Sequence, residues 1–308
     1  IGLNAGSYDH FAGYFDGQGH TVSNFTITEG HSGYVGLFGY LSGYPVSDLG
    51  VTDFTINVTF NGTIYAGGLV WSQDFSGSLS YCYAEGTITV TSTNSYGFVY
   101  AGGLAGSVNS GTLEGCHARV PVTASSPNSA YAGGLAGYLT NGTVVADCFA
   151  SGDVSGASTT YGSTNYGYAG GLVGYTDDGT VNDGGNIRNS YATGNVSARA
   201  NVSGGFSYAG GLVGLNVTTL ENSFALGDVS ATGRYRNAGG LVGYNNGTIS
   251  GGYRSADQTV TNSNNTLGIE ADPETLSSTD FLTGTLEWSH SIWTFTESGL
   301  PNLDHHWN

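Results

Sequence analysis

The chain has 308 residues, including 53 Gly, 21 Tyr and no Met, and its six cationic residues (all Arg) against 23 acids set a net charge of −17. With only 9% of residues charged, it lacks the Glu, Lys and Arg that cover helix surfaces, so an all-β chain is expected. The same balance excludes a basic nucleic-acid surface and docking on anionic lipid, and no apolar run approaches the ~20 residues of a spanning helix.

Residues 1–34 read as lead-in strands, starting at Ile1 rather than Met as a mature or excised product would. Repeats follow over 35–261. Ala-Gly-Gly-Leu returns at 66, 101, 132, 169, 209 and 238, after a degenerate copy at Val35-Gly36-Leu37-Phe38-Gly39. A second phrase follows each turn, as in Leu79-Ser-Tyr-Cys-Tyr-Ala84 and Leu220-Glu-Asn-Ser-Phe-Ala225. A third short segment comes next, as in Gly86-Thr-Ile-Thr-Val90 and Gly227-Asp-Val-Ser230. Seven such units indicate a stacked repeat. Three strand-length segments per unit, parted by Gly, Asn, Asp and Ser, fit one coil of a right-handed parallel β-helix better than a four-stranded propeller blade. At about 4.8 Å per coil, seven coils span roughly 34 Å. Length variation falls between the third segment and the next Ala-Gly-Gly-Leu, as at 155–167, so insertions should loop out at one corner.

Stacking turns each repeated position into a column. Cys82, Cys116, Cys148, Ser190 and Ser223 should point inward, a position asking for a small side chain. Tyr83, His117, Phe149, Tyr191 and Phe224 should form an outward stacking ladder. A further column, Tyr65, Tyr100, Tyr131, Tyr168 and Tyr208, precedes the Gly-Gly, and its direction is open at this stage. From about 262 to 308 the composition changes. Asp272-Pro-Glu-Thr-Leu reads as a short helix with Asp272 as N-cap, and Trp288, Ile292, Trp293, Phe295 and Leu300 suit a cap over the last coil.

The unit Ala-Gly-Gly-Leu-Val-Gly followed by Asn-Ser-Tyr-Ala-x-Gly-x-Val-Ser resembles the GLUG repeat of bacterial and archaeal surface proteins. The opening Phe11-Ala-Gly-Tyr-Phe-Asp-Gly-Gln-Gly-His-Thr-Val-Ser-Asn-Phe-Thr-Ile27 is similar to the segment preceding such repeats, and 281–303 to their usual ending. The resemblance implies a secreted or surface-displayed β-helix, often part of an adhesin or a stalk beside an enzyme domain, with no chemistry of its own. Metallopeptidases carrying such repeats keep catalysis elsewhere, and no His here is followed by Glu.

Asp177 and Asp178, with Asp183 nearby, are the densest acids. A catalytic pair or a calcium site needs acids at this density. The equivalent turns read Thr140-Asn141-Gly-Thr and Asn245-Asn246-Gly-Thr, so an Asx turn explains them better; calcium is the minor alternative, and no other cofactor is expected. The adjacent His305 and His306 read as a tail rather than a zinc site. Asn24, Asn57, Asn61, Asn141, Asn195, Asn201, Asn216, Asn246 and Asn264 all stand in Asn-x-Ser/Thr and are candidate glycosylation sites. Exposed aromatic columns could stack on sugars or simply hold the coils together.

The sequence therefore points to a non-enzymatic, extracellular or cell-surface β-solenoid glycoprotein acting in adhesion or surface architecture. Its partners would be neighbouring glycans and surface proteins, with no nucleic acid and no membrane insertion. The alternatives are a subunit polymerising with itself into a filament or sheath and, less favoured, a polysaccharide-active enzyme.

Overall fold

The computed structural model describes residues 10–303 apart from 12, 29–32, 75–76, 161–164, 178–184, 202–203, 264 and 297–298. Asp178, Asp183, Asn264, His305 and His306 lie outside the described residues.

One coil illustrates the rest. β1 (Phe98–Gly102) runs along a first face and bends at Gly103-Leu104 into β2 (Ala105–Asn109) on a second. β3 (Thr112–Glu114), β4 (His117–Arg119) and β5 (Val122–Ser126) run along a longer third face. The chain then returns to the first face at β6 (Ser129–Gly133), directly above β1. Inter-coil pairing among the described strands is parallel, and in register apart from shifts at Asp16/His20 and Glu85/Gly86: Ala101 lies between Ala66 and Ala132, and Thr123 between Thr89 and Ser155. The first face holds seven strands and the second eight, giving a β-solenoid of about seven coils.

Alternation along each strand sets the interior. In the segment Thr55-Ile-Asn-Val-Thr59, Ile56 and Val58 are buried while Thr55, Asn57 and Thr59 face water. Leu69, Leu104, Leu135, Leu172, Leu212 and Leu241 form one fully buried column. The Gly-Gly bend explains itself sterically. A Cβ on the second glycine would lie 2.2 Å from Gly134 O at Gly103, 2.0 Å from Gly171 O at Gly134, and 2.1 Å from Gly211 O at Gly171. Only glycine lets successive bends stack this closely.

The third face breaks at one left-handed residue per coil: Tyr81, Gly115, Asp147, Asn189, Asn222 and Gly251, with φ between 45° and 63°. The next residue belongs to the inward column, and Cys82, Cys116, Cys148, Ser190 and Ser223 are all fully buried. The amides of the first four donate to the following coil: Cys82 N to Cys116 Sγ at 3.4 Å, Cys116 N to Cys148 Sγ at 3.4 Å, Cys148 N to Ser190 Oγ at 3.1 Å and Ser190 N to Ser223 Oγ at 3.1 Å. The column thus wants a small side chain that can also accept an amide. All three cysteines are free thiols.

The C-terminal region departs from expectation. The last coil is closed by polar side chains. Asn265 Nδ2 donates to Gly243 O at 2.8 Å, Asn262 Nδ2 to Ala231 O at 2.8 Å, and Gln258 Nε2 to Gly240 O at 3.0 Å. The expected apolar cap does not cover that end. Instead α1 (Pro273–Ser277), a π-helical turn (Phe281–Thr285) and an antiparallel pair, Trp293–Thr294 with Asn302–Leu303, fold back along the flank as a strap. The reason is that the flank carries aromatic faces for Trp288 and Trp293 to bury, whereas the open end offers mainly backbone carbonyls. Asp272 occupies the N-cap position of α1, but its side chain makes no cap hydrogen bond.

Candidate functional surfaces

The column Tyr83, His117, Phe149, Tyr191 and Phe224 is stacked as its spacing suggested, with ring centroids 5.0, 4.7, 5.0 and 5.1 Å apart and planes within 6°. It is not a surface ladder. Phe224 is fully buried, and Phe149, Tyr191 and His117 are 2%, 4% and 7% exposed. The strap covers it: Trp288 lies 5.6 Å from Phe224, Trp293 lies 5.8 Å from Tyr191, and the two indoles stack at 4.7 Å. Trp288 Nε1 donates to Asn222 O (2.9 Å), Trp293 Nε1 to Asp147 Oδ1 (3.2 Å) and the Tyr191 hydroxyl to Pro301 O (2.7 Å). Arg119 bounds the column at the other side, with Nη1 2.7 Å from Glu85 Oε1 and 3.2 Å from His117 Nε2. From His117 to Phe224 the column is buried and its outward edge is occupied by the chain itself, so it is no sugar-stacking ladder, while Tyr83 at its end is half-buried.

The second tyrosine column points outward into a crease between the first and second faces. Tyr65, Tyr100, Tyr131, Tyr168 and Tyr208 stack at 4.7, 4.8, 4.9 and 5.4 Å with planes within 18°. The opposite wall carries Tyr138 and Tyr175, stacked at 5.4 Å. Burial pushes the phenols of Tyr100, Tyr131, Tyr138 and Tyr168 up, so they stay protonated at neutral pH. Sugars stack on aromatic faces, and here neighbouring rings already cover those faces. What the crease shows to solvent is ring edges and hydroxyls.

Asp177 sits at the rim of this crease, its Oδ2 accepting the Tyr138 hydroxyl at 2.8 Å. Asp74 does the same three coils away, taking the Tyr40 hydroxyl at 2.6 Å and Asn109 Nδ2 at 2.7 Å. No group of three or more His, Cys, Asp or Glu able to hold a metal occurs among the described residues.

The sequons divide by burial. Asn24, Asn57, Asn61, Asn195 and Asn246 are exposed. Asn141 and Asn201 are half-buried, with Nδ2 donating to Asn109 Oδ1 (2.6 Å) and Thr159 O (3.2 Å). Asn216 is fully buried and donates Nδ2 to Asn245 Oδ1 at 2.8 Å. It cannot meet a glycosyltransferase in the folded chain, so its sequon is a by-product of a turn that needs a buried Asn.

Sequence reasoning missed a shallow groove of about 370 Å³ on the third face. Asp153 Oδ1 accepts the Asn195 amide (2.8 Å), Asn195 Oδ1 the Asp228 amide (3.0 Å), and Asp228 Oδ1 the Thr259 amide (2.7 Å). Beside this Asx ladder run the aligned hydroxyls of Thr123, Ser155, Ser197, Ser230 and Thr261. The signal was present as Gly-Asp/Asn-Val-Ser in three successive coils, at 152–155, 194–197 and 227–230.

These in-register parallel coils and side-chain ladders define a β-solenoid repeat protein. Segments 62–89, 128–155 and 165–197 match the model of the GLUG motif, so the chain is a β-solenoid that carries GLUG motifs. Among solved structures it is similar to a Bacteroides ovatus protein described as a "putative immunoglobulin A1 protease", with a TM-score of 0.66 and 22% identity, over 100% of this chain and 81% of that one. At that identity the likeness is one of fold. Comparison with curated proteins finds no match.

Proposed function

We propose that the chain is a non-catalytic structural protein of the cell exterior, serving adhesion or surface architecture as a stiff acidic rod. The observation that carries this reading is how its acids are used. Asp74, Asp153, Asp177 and Asp228 each accept hydrogen bonds that tie one coil to another. A general acid or nucleophile instead needs a group aimed at a reacting atom. GLUG motifs, five exposed sequons and a net charge of −17 fit a hydrated outer surface. Antibody raised against the purified chain should label intact source cells from outside; label reached only after permeabilisation would overturn the reading.

A self-assembling filament is the second reading, and the structure narrows its form. The side chains of Gln258, Asn262 and Asn265 occupy backbone carbonyls at the C-terminal end, which disfavours strand addition there. Side-to-side association keeps every coil available. Negative-stain images of the isolated protein separate the two: bundled rods favour lateral assembly, and single rods favour adhesion by individual molecules.

A further inference from the structure

The residues that one-electron oxidants attack are unevenly placed in this molecule. Met is absent, the three cysteines are fully buried, and of the tryptophans among the described residues Trp288 and Trp293 are 2% and 1% exposed while Trp71 is half-buried against Tyr34 and Tyr40. Tyrosine supplies the most exposed oxidisable side chains among the described residues, led by Tyr96 at 85% and Tyr14 at 79%. Tyr96 has no ring against it among the contacts described. Tyr14 does: its ring centroid lies 5.6 Å from that of Tyr44, itself 39% exposed, with the planes at 72°. Both residues directly precede paired strands of adjacent coils, in which Phe15 lies opposite Val46. The pair is therefore held together by the sheet, while the rings stand free of it.

The geometry points to Tyr14 and Tyr44 as a site of oxidative dityrosine formation, a covalent staple between the first two coils. The reaction takes hydrogen peroxide as oxidant with a haem peroxidase as catalyst. Each phenol loses one electron and one proton, giving two phenoxyl radicals, and the peroxide is reduced to two waters. The radicals couple through one ring carbon ortho to each oxygen, forming a single C–C bond. The two ring hydrogens at those carbons then move to the oxygens, restoring both phenols. Coupling of this kind needs two ring edges able to meet. In the columns Tyr100, Tyr131 and Tyr168 lie face to face with planes 14° and 17° apart, and the edge-on pairs Tyr131–Tyr138, Tyr168–Tyr175 and Tyr208–Tyr244 each have at least one ring that is buried or half-buried. The edge-on exposed pair meets the condition. The inference stands independently of whether the rod adheres or assembles.

The experiment treats the full chain with horseradish peroxidase and hydrogen peroxide at low protein concentration. The expected result is dityrosine fluorescence in a monomer band, a mass lower by two hydrogens, and a chymotryptic species joining the peptides that contain Tyr14 and Tyr44. Tyr14→Phe and Tyr44→Phe should each abolish all three signals, whereas Tyr96→Phe should retain them. These are conservative changes at exposed rings, so folding is checked simply by circular dichroism. The staple closes a loop of roughly 30 residues, which should slow hydrogen exchange of the strand following Tyr44 on the order of a hundredfold. Fluorescence that survives in Tyr14→Phe, or that appears only in dimers and vanishes with Tyr96→Phe, would overturn the proposal.

Discussion

The left-handed residue and its successor are the smallest unit that explains the third face. A residue at positive φ turns the next side chain inward, and that side chain then takes an amide from the neighbouring coil. Asn, Asp and Gly adopt this conformation most cheaply, and they fill it in every coil from Gly115 to Gly251. Tyr81 is the exception at φ 55°, interrupting a pattern that Asp48 opens one coil earlier at φ 53°. Size alone was legible for the Cys/Ser column; the hydrogen bond was not, because it depends on which coil lies above. Replacing Cys116 tests the distinction. Cys116→Ser should be nearly neutral, since Ser190 and Ser223 already perform the same task. Cys116→Ala should cost about 1–3 kcal/mol in urea unfolding, because the buried Cys82 amide loses its acceptor. Burial pushes the thiols of Cys82 and Cys148 up, so alkylating reagents should reach neither until the chain unfolds.

At the scale of elements, the coils were readable and the strap was not. Repetition announces a coil, and register follows once the phrases are aligned. The strap occurs once, and its Trp, Leu and Phe carry no period that says where they dock. A similar one-off change occurs in the second coil, where Trp71-Ser72 replaces the Gly-Tyr of Gly137-Tyr138. There the indole rests 4.3 Å from Tyr34 and 5.3 Å from Tyr40, so an aromatic ring is kept after moving one residue along. Trp288→Ala should destabilise the chain by about 3–5 kcal/mol, as expected for emptying a buried aromatic site, and should expose Tyr191 to solvent in fluorescence quenching. The strap also depends on pH through Asp147. Burial raises its carboxyl above the ordinary 3.8, against the opposing bonds from Trp293 and Asn189. A raised folded-state pKa means the folded chain holds the proton more tightly, so the stabilisation is complete below about 3.8 and is lost as pH rises through the raised value. Strap stability, measured by hydrogen exchange at Trp288 and Trp293, should therefore improve on mild acidification from neutrality. Asp147→Asn should remove that dependence while leaving an acceptor for Trp293.

For the whole molecule, charge is the dominant unbalanced quantity. Twenty-three acids face six arginines, and the two described Arg–Glu ion pairs, Arg119–Glu85 and Arg254–Glu270, offset little of this. Self-repulsion of this size weakens a compact state and is screened by salt. Raising NaCl from roughly 0.01 M to 1 M, which shortens the screening length from about 30 Å to about 3 Å, should raise Tm by several degrees. A flat or falling Tm would mean that the carboxylates are already neutralised by bound cations.

The strap gives the rod a direction. In a simple solenoid each coil touches only its neighbours, so unfolding can start at either end and proceed one coil at a time. Here the segment leaving the last coil grips Phe224, Tyr191 and Phe149 and reaches Arg119 through Asn302, whose Oδ1 lies 3.4 Å from Nη2. Coils that never touch are thereby made to stand or fall together. Under heat, pulling force or a protease, that half should yield in one step, while the half between Tyr34 and Tyr83 wears away coil by coil. A limit digest should accordingly stop at a resistant core ending in the strap, and the rod would shorten from one end only.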